Sequence, residues 1–175
     1  MLPFIPDQRQ EFERIALVHR NALLRVASRI LRCESLAEDA VQDTLLQAWR
    51  AFHQFERGSN CRAWLFRIML NGIRRSRRRA APLADLPAWQ SLDTLLTGRS
   101  SFGSVVRLDA AAAVDALPET QRTIFLLSAV EGFTCKEISG MQAIPIGTVM
   151  SRLSRCRAEL RKVLRPRIQV GKRTD

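Results

Sequence analysis

The chain has 175 residues, of which 46% are hydrophobic and 26% are charged, a balance that excludes wholesale disorder and suits one medium or two small folded domains. Lys and Arg number 28 against 17 Asp and Glu, which gives a formal net charge of +11. A charge of this size favours a polyanionic partner, nucleic acid first and an anionic membrane surface second. A basic surface that only keeps the protein soluble is the simpler alternative.

The cysteines and histidines are too far apart to predict a metal site or a disulfide framework. No two cysteines form a C-x-x-C pair, and neither histidine stands at ligand spacing from them. We therefore expect no metal or other cofactor, and we expect each cysteine to be a small buried hydrophobic residue. The residues concerned are Cys33, Cys61, Cys135, Cys156, His19 and His53.

No apolar run approaches the roughly 20 residues that are needed to span a bilayer. The amino-terminal stretch MLPFIPDQRQEF has no basic segment followed by an apolar core, so it does not resemble a signal peptide. These features predict a cytoplasmic protein that does not insert into a membrane.

Apolar residues recur at helical spacing almost throughout, and no alternating strand pattern is longer than a few residues, so the sequence predicts an all-α fold. The first set lies on one face of a helix and consists of Phe12, Ile15, Ala16, Leu23, Val26, Ala27 and Ile30.

A second helix is predicted to begin at a capping box formed by Ser35 and Glu38. The break at Gly58-Ser59-Asn60 separates it from a third helix over about Arg62–Arg79, which ends in a block of arginines. The inner face of the second helix consists of Ala37, Val41, Thr44, Leu45, Ala48 and Phe52.

Prolines, glycines and serines interrupt the helical period from Ala80 to about Val105. A connection of roughly 25 residues is long for the inside of one compact domain. The sequence therefore predicts two small helical domains, over residues 10–80 and 107–168, joined by a flexible linker over residues 81–106. A short helical turn is expected around Trp89–Leu96 within the linker.

Helical periodicity resumes at Arg107 and predicts a helix that Pro118 stops. A further helix is predicted over Glu119–Glu131, followed by Gly132 at the position where glycine commonly ends a helix.

The next segment predicts a helix-turn-helix. A second capping box, Thr134 to Glu137, opens a short helix that ends near Gln142. After the turn Ala143-Ile144-Pro145, a long helix is predicted from Ile146 to about Arg165, where Pro166 should stop it.

The long helix would enter a DNA major groove by its N-terminal end, because Arg bonds guanine there and Ser or Thr bonds bases or phosphates. The alternative is a basic surface hairpin without a DNA role. The outward residues at this end are Thr148, Ser151, Arg152 and Arg155. Farther along, Arg157, Arg161, Lys162 and Arg165 suit phosphate contacts. The residues predicted to face the core are Val149, Leu153, Ile138 and Leu127.

Asp39, Gln42 and Asp43 share one exposed face of the second helix by their spacing. An acidic face on a basic protein is unsuited to DNA and suits a basic protein surface. From these residues alone, a solvated face near a helix N-terminus is the simpler interpretation.

The segment from Phe52 to Arg79 combines aromatic residues, a loop and arginines. Rings that stack on bases and cations that hold phosphates are what single-stranded DNA binding requires. The alternative is that Trp64 and Phe66 belong to the core of a helical bundle.

The sequence contains no phosphate-cradling glycine loop, no nucleophile elbow and no clustered carboxylates for metal-dependent hydrolysis, so we expect no catalytic residues. A nuclease is therefore disfavoured. A stand-alone helix-turn-helix regulator would explain the second half of the chain but not the first.

Three segments in order resemble the extracytoplasmic-function (ECF) subfamily of the sigma-70 family RNA polymerase sigma factors. Ala37–Trp49 is similar to the polymerase-docking motif of that family, and Phe55–Asn71 to its promoter-melting segment. Ala116–Leu160 resembles its helix-turn-helix region. The resemblance implies a sigma factor that directs promoter-specific initiation, with core RNA polymerase and promoter DNA as partners and an anti-sigma factor as a candidate third.

The resemblance also implies roles for individual residues. Asp39, Gln42 and Asp43 would contact the clamp helices of the largest polymerase subunit. The loop with Phe55, Asn60 and Cys61 would, together with Asn71, capture an extruded base, and Arg74 and Arg75 would bind DNA next to them. Ser151, Arg152 and Arg155 would read the minus-thirty-five element, with Thr148 beside them.

Three positions depart from the family pattern. Ile146 stands where a polar residue is common, and Met150 where a basic residue is usual. Ala143 replaces the common turn glycine.

Overall fold

The computed structural model describes residues 8–80 and 111–170, with side chains described through Arg79 in the first range and through Val163 in the second. The chain divides into two compact units, one over Met1–Trp89 with Gly140–Ala143 and the other over Gln90–Ser139 with Ile144–Asp175. The described ranges contain helices and no strand, which confirms the all-α prediction. The predicted linker over residues 81–106 lies outside the described residues.

The amino-terminal unit is built from four α-helices and two short 3₁₀ turns within its described part. The helices are α1 (Gln8–Ala16), α2 (Arg20–Leu31), α3 (Glu34–Arg50) and α4 (Cys61–Ala80). The 3₁₀ turns lie over Leu17–His19 and Phe52–Gln54. The predicted inner face of α3 is buried except for Leu45, which is half-buried.

The first predicted apolar face is buried except for Ile15, but it belongs to two helices rather than one. The 3₁₀ turn at Leu17–His19 interrupts them and leaves Leu17 and Val18 exposed. Ala16 and Leu23 are seven residues apart, about two helical turns. The apolar pattern therefore stays in phase across the 3₁₀ turn, and for this reason the periodicity did not reveal the break.

The predicted capping box at Ser35 and Glu38 is wrong. Cys33 is the N-cap of α3, with extended backbone angles, and no side chain caps the helix there. The helix begins at Glu34, so Ser35 already lies inside its first turn, and its hydroxyl contacts the Cys33 thiol at 3.3 Å.

Five aromatic rings of the amino-terminal unit contact one another in a continuous series. Phe12 of α1 meets Trp49 at 5.3 Å and Phe52 at 5.1 Å, measured between ring centroids, both edge-on. Phe52 stacks on Phe55 at 5.8 Å, and Phe55 meets Trp64 of α4 at 4.9 Å. This aromatic cluster joins α1, the end of α3, the loop before α4 and α4 itself, and such pairs stabilise beyond the area they bury.

We expect Phe52→Ala to lower the free energy of unfolding of the amino-terminal unit by about 3 to 5 kcal/mol, because the ring contacts two partners and a cavity would remain. Urea unfolding followed by tryptophan fluorescence measures this change, since Trp49 and Trp64 lie in the same cluster. Leu36→Ala is the control, because Leu36 is exposed and should change stability by about 0.5 kcal/mol or less. Equal effects of the two variants would contradict the assigned packing.

The described part of the carboxyl-terminal unit is also helical. Residues 111–115 form α5, Glu119–Phe125 form α6, and α6 continues as a π-helical turn over Leu126–Val130. The helix-turn-helix follows as α7 (Cys135–Gln142) and α8 (Ile146–Val170). The predicted core residues are buried, namely Leu127, Ile138, Val149 and Leu153.

The structure confirms two predicted helix boundaries, the helix end at Gly132 and the helix start at the Thr134–Glu137 capping box. Gly132 has a φ of +71° after the π-helical turn, as expected for a glycine that ends a helix. At the start of α7, the Glu137 carboxylate accepts the Thr134 amide at 2.8 Å, and the Thr134 hydroxyl accepts the Glu137 amide at 3.2 Å. The second capping box is therefore confirmed.

The predicted stop of the last helix at Pro166 is wrong, since α8 continues to Val170. Proline lacks an amide hydrogen and so removes one helical hydrogen bond, but its own φ is close to the helical value. The remaining hydrogen bonds on either side are enough to keep the backbone helical.

A buried arginine ties α5 to α6. Arg122 is 4% exposed, and its Nη1 donates to the carbonyl oxygens of Asp115 at 3.0 Å and Leu117 at 3.4 Å. Asp115 is the last residue of α5 and Leu117 lies two residues beyond it, where helical partners for the carbonyl oxygens run out. The sequence analysis did not identify this role.

We expect Ala143→Gly to stabilise the helix-turn-helix by about 1 kcal/mol, because Ala143, in its turn, has a φ of +52°, where a β-carbon is strained. Gly132→Ala is the matched opposite change and should destabilise by a similar amount, since no atom lies within 4 Å of the added carbon and only the backbone opposes it. Amide hydrogen exchange of α7 and α8 reports both changes. A loss of protection in Ala143→Gly would contradict the expected strain.

Candidate functional site

The acidic face predicted on α3 exists as a surface. Asp39, Gln42 and Asp43 are all exposed, and their spacing on the observed helix places them on one side. The opposite side of α3 is anchored in the core by Ala37, Val41 and Ala48.

The acidic face continues into an exposed apolar residue that the sequence analysis missed. Leu46 lies one turn after Gln42 and Asp43 and is 47% exposed, and Trp49 follows at 39%. The same helical spacing that selected the three polar residues would have extended the face to Leu46. The Trp49 ring packs edge-on against the ring of Phe12.

The loop before α4 is fixed by its own side chains. Phe55 is buried between Phe52 and Trp64, so its ring belongs to the aromatic cluster. Asn60 is exposed, and its Oδ1 accepts the Ala63 amide at 3.0 Å, which makes it the N-cap of α4. Arg57 and Glu11 of α1 form an ion pair at 2.8 Å that holds the middle of the loop.

The remaining DNA-binding candidates of this unit lie along α4. Asn71 and Arg75 are exposed one turn apart, and Arg67 one turn earlier is exposed on the same side. Arg74 is half-buried, and its Nε donates to the Leu70 carbonyl oxygen at 3.3 Å. Cys61 begins the helix and is half-buried.

Cys61, at the end of the loop, and Asn71 lie at different points along α4. Cys61 and Asn71 are ten positions apart in one helix, a separation of about 15 Å along its axis at about 1.5 Å per residue.

The arginine block at the end of α4 divides into surface and internal residues. Arg75, Arg78 and Arg79 are exposed, whereas Arg77 is half-buried and its Nη2 donates to the Ile30 carbonyl oxygen at 3.2 Å. Burial lowers the pKa of Arg77 below its usual value. Arg77 therefore satisfies the last turn of α2 rather than facing the solvent.

Phe66 is fully buried, so it belongs to the core of the helical bundle and is not available to stack on a DNA base. Trp64 is half-buried and packs on Phe55.

The base-reading candidates of α8 share one face. Thr148, Ser151, Arg152 and Arg155 follow the i, i+3, i+4, i+7 pattern, with Ser151 and Arg155 exposed and the other two half-buried. The turn that aims this helix is held by Ser139, whose hydroxyl donates to the Ile144 carbonyl oxygen at 2.6 Å.

A groove of about 390 Å³ runs beside this face, between the start of α7 and the first half of α8. Its lining consists of Cys135, Met150, Leu153, Ser154, Arg157 and Arg161. Within the described ranges, no cluster of three or more His, Cys, Asp or Glu is placed to hold a metal ion, and no helix is long and apolar enough to cross a membrane.

Known proteins match both units. Residues 16–82 match Sigma-70 region 2, and residues 107–160 match Sigma-70, region 4. The chain is 35% identical over 134 residues to the ECF RNA polymerase sigma factor EcfG of Rhodopseudomonas palustris (strain TIE-1), an alignment that covers 73% of this chain and 71% of that protein. The chain belongs to the ECF sigma factors.

Two solved structures of sigma factors share the fold. The sigma factor RpoE of Bartonella quintana, crystallised with the anti-sigma factor NepR, superposes with a TM-score of 0.75 and 31% identity over 89% of this chain and 98% of that one. CnrH, in complex with the cytosolic domain of CnrY, gives 0.64 and 28% identity over 90% of each chain.

This sigma factor directs promoter-specific initiation of transcription by RNA polymerase, with core polymerase and promoter DNA as partners. A stand-alone helix-turn-helix regulator is disfavoured, because the match to region 2 accounts for the half of the chain that such a regulator leaves unexplained.

The cysteines of the sigma factor differ in exposure. Cys156 is buried as predicted, Cys61 and Cys135 are half-buried, and the prediction of burial is wrong for Cys33, which is exposed at the start of α3. Hydrogen bonds from the Ser35 hydroxyl and then the Leu36 backbone lower the pKa of the Cys33 thiol, whereas burial raises the pKa of Cys61 to about 11.

We expect iodoacetamide to alkylate Cys33 more than about tenfold faster than Cys61 at mildly alkaline pH, because the lower pKa gives a larger thiolate fraction and the sulfur is accessible. Peptide mass spectrometry over time measures both rates in the native protein. The variant Cys33→Ser should lose only the fast phase. Alkylation of Cys61 at the rate of Cys33 would contradict the assigned environments.

Proposed function

We propose that the α3 face with Asp39, Gln42 and Asp43 binds the clamp helices of the largest polymerase subunit. The observation that carries this proposal is an exposed acidic face on a protein with a net charge of +11. Such a face repels DNA phosphates and complements a basic protein surface. Leu46 supplies an apolar contact at its end.

The amino-terminal unit, over residues 10–80 in this proposal, opens promoter DNA and holds its single strand. Asn60 and the half-buried Cys61 contact one nucleotide at the loop, and Asn71 with Arg74 and Arg75 contacts others along α4. The separation of about 15 Å along the helix supports two contact points on an extended strand. Phe55 does not contact DNA in this proposal; its ring fixes the loop by packing in the aromatic cluster.

The carboxyl-terminal unit, over residues 107–168, reads the minus-thirty-five duplex with the N-terminal half of α8. Ser151 and Arg155 are exposed where base edges would lie, and Thr148 and Arg152 flank them. Arg157 and Arg161 add phosphate contacts that depend on salt and not on sequence. The segment over residues 81–106 links the two units.

The factor acts in the cytoplasm and contributes no catalytic residue of its own, since bond formation belongs to the polymerase. An anti-sigma factor is proposed as a further partner, because the similar structures of RpoE and CnrH were solved in complex with NepR and CnrY.

We expect Asp39→Arg combined with Asp43→Arg to abolish association with core polymerase, because the reversed charges would repel a basic docking surface. Pull-down of core polymerase and run-off transcription measure the loss, and circular dichroism checks that the fold is kept. The control is Glu13→Arg combined with Glu34→Arg, which makes the same change of net charge at exposed positions off this face. Normal pull-down by the first variant would refute the docking surface.

We expect Arg155→Ala to weaken binding of the holoenzyme to its promoter by about 5- to 150-fold and to relax sequence preference at one position, as loss of a base contact does. Lys162→Ala is the control, because that ammonium already pairs with Glu159 at 3.0 Å and should affect all sequences slightly and alike. Quantitative mobility shifts on promoter and scrambled duplexes separate the two effects. If Arg155→Ala left the ratio of promoter affinity to scrambled-duplex affinity unchanged, α8 would be misassigned as the reading helix.

A further inference from the structure

Two large apolar side chains stand exposed at the start of the reading helix. Ile146 is 47% exposed and Met150, one turn later, is 58% exposed. Neither position serves the core, which α8 contacts through Val149, Leu153 and Cys156. The two residues stand at i, i+4 spacing, so they form a small apolar patch on the part of the helix that is proposed to enter DNA.

The surroundings of Met150 indicate the chemistry of what covers it. Met150 lines the groove beside α8 together with Cys135 of α7 and with Leu153, Ser154, Arg157 and Arg161 of α8. Met150, Ser154, Arg157 and Arg161 follow i, i+4, i+7 and i+11 spacing, so an apolar start leads into a cationic end. An apolar group next to phosphates is the complement of this stripe.

Duplex DNA presents that combination in its major groove. The C5-methyl of thymine is the apolar group on the base edges there, and the phosphates of the groove wall lie beside it. Met150 is unbranched and flexible, so its side chain adapts to a methyl group without a fixed rotamer. Exposed Ser151 and Arg155 on the adjacent face would contact neighbouring base pairs.

We infer that Met150, with Ile146 one turn before it, is a specificity-determining residue that selects thymine in the upstream duplex by contact with the C5-methyl group. This inference rests on the proposed reading role of α8. The groove then holds the sugar-phosphate backbone on the side of Arg157 and Arg161.

The test exchanges thymidine for deoxyuridine, which removes the methyl group and nothing else. Holoenzyme assembled from the full chain and core polymerase first enriches duplexes from a library randomised in the upstream element. Each thymidine of the best duplex is then replaced singly. We expect at least one replacement to weaken binding about fourfold, the effect of burying one methyl group.

Variants at Met150 identify the side chain responsible. Met150→Ala should bind the thymidine and deoxyuridine duplexes alike, while Met150→Leu, which keeps the apolar volume, should still prefer thymidine. Val163→Ala is the control on the same helix, because Val163 is exposed but lies outside the groove lining, and it should keep the full preference.

Specific binding that is indifferent to every deoxyuridine replacement would overturn the inference and leave the proposed function intact. A thymidine preference that persists in Met150→Ala would also overturn it. Loss of core association rather than of DNA binding in Met150→Ala would assign the patch to a protein partner instead. Failure to enrich any sequence would contradict the proposed function itself.

Discussion

The aromatic cluster is the interaction on which the amino-terminal unit depends. Phe12 holds Trp49 at the end of the acidic helix, and Phe52 and Phe55 carry the packing to Trp64 at the start of α4. One set of ring contacts therefore fixes both the surface proposed to bind polymerase and the loop proposed to hold melted DNA. Ring packing therefore sets the position of the loop before α4 relative to α3.

Charge in this sigma factor is sorted by position rather than spread evenly. Asp39 and Asp43 of α3 are exposed, as are Arg75, Arg78 and Arg79 of α4, whereas Arg77 and Arg122 donate to backbone carbonyl oxygens at helix ends. Counting arginines therefore overstates the surface available to phosphate. Guanidinium groups that bond to backbone carbonyl oxygens stabilise helix ends, and only the exposed ones are available for a salt-dependent attraction to DNA.

The direction of α8, the helix proposed to read DNA, is set by local geometry that the sequence encodes within a few residues. The Thr134 and Glu137 box starts α7, and Ser139 holds the turn before α8. Ala143 takes a left-handed conformation where glycine would be relaxed, so the turn is kept by its context rather than by intrinsic preference. Met150 is exposed at the start of α8, where it would add an apolar contact to the proposed recognition of DNA.

The sequence by itself determined the helical fold class, the two helical segments, the buried faces of α3 and α8 and the second capping box, because each depends on residues within a few turns of one another. It did not determine the break at Leu17–His19, the cap at Cys33 or the passage of α8 through Pro166, where competing local preferences are nearly balanced. Only the tertiary structure decided that Phe55 and Phe66 are buried and that Arg77 and Arg122 bond to carbonyl oxygens at helix ends. Those outcomes depend on partners distant in sequence, which periodicity does not reveal.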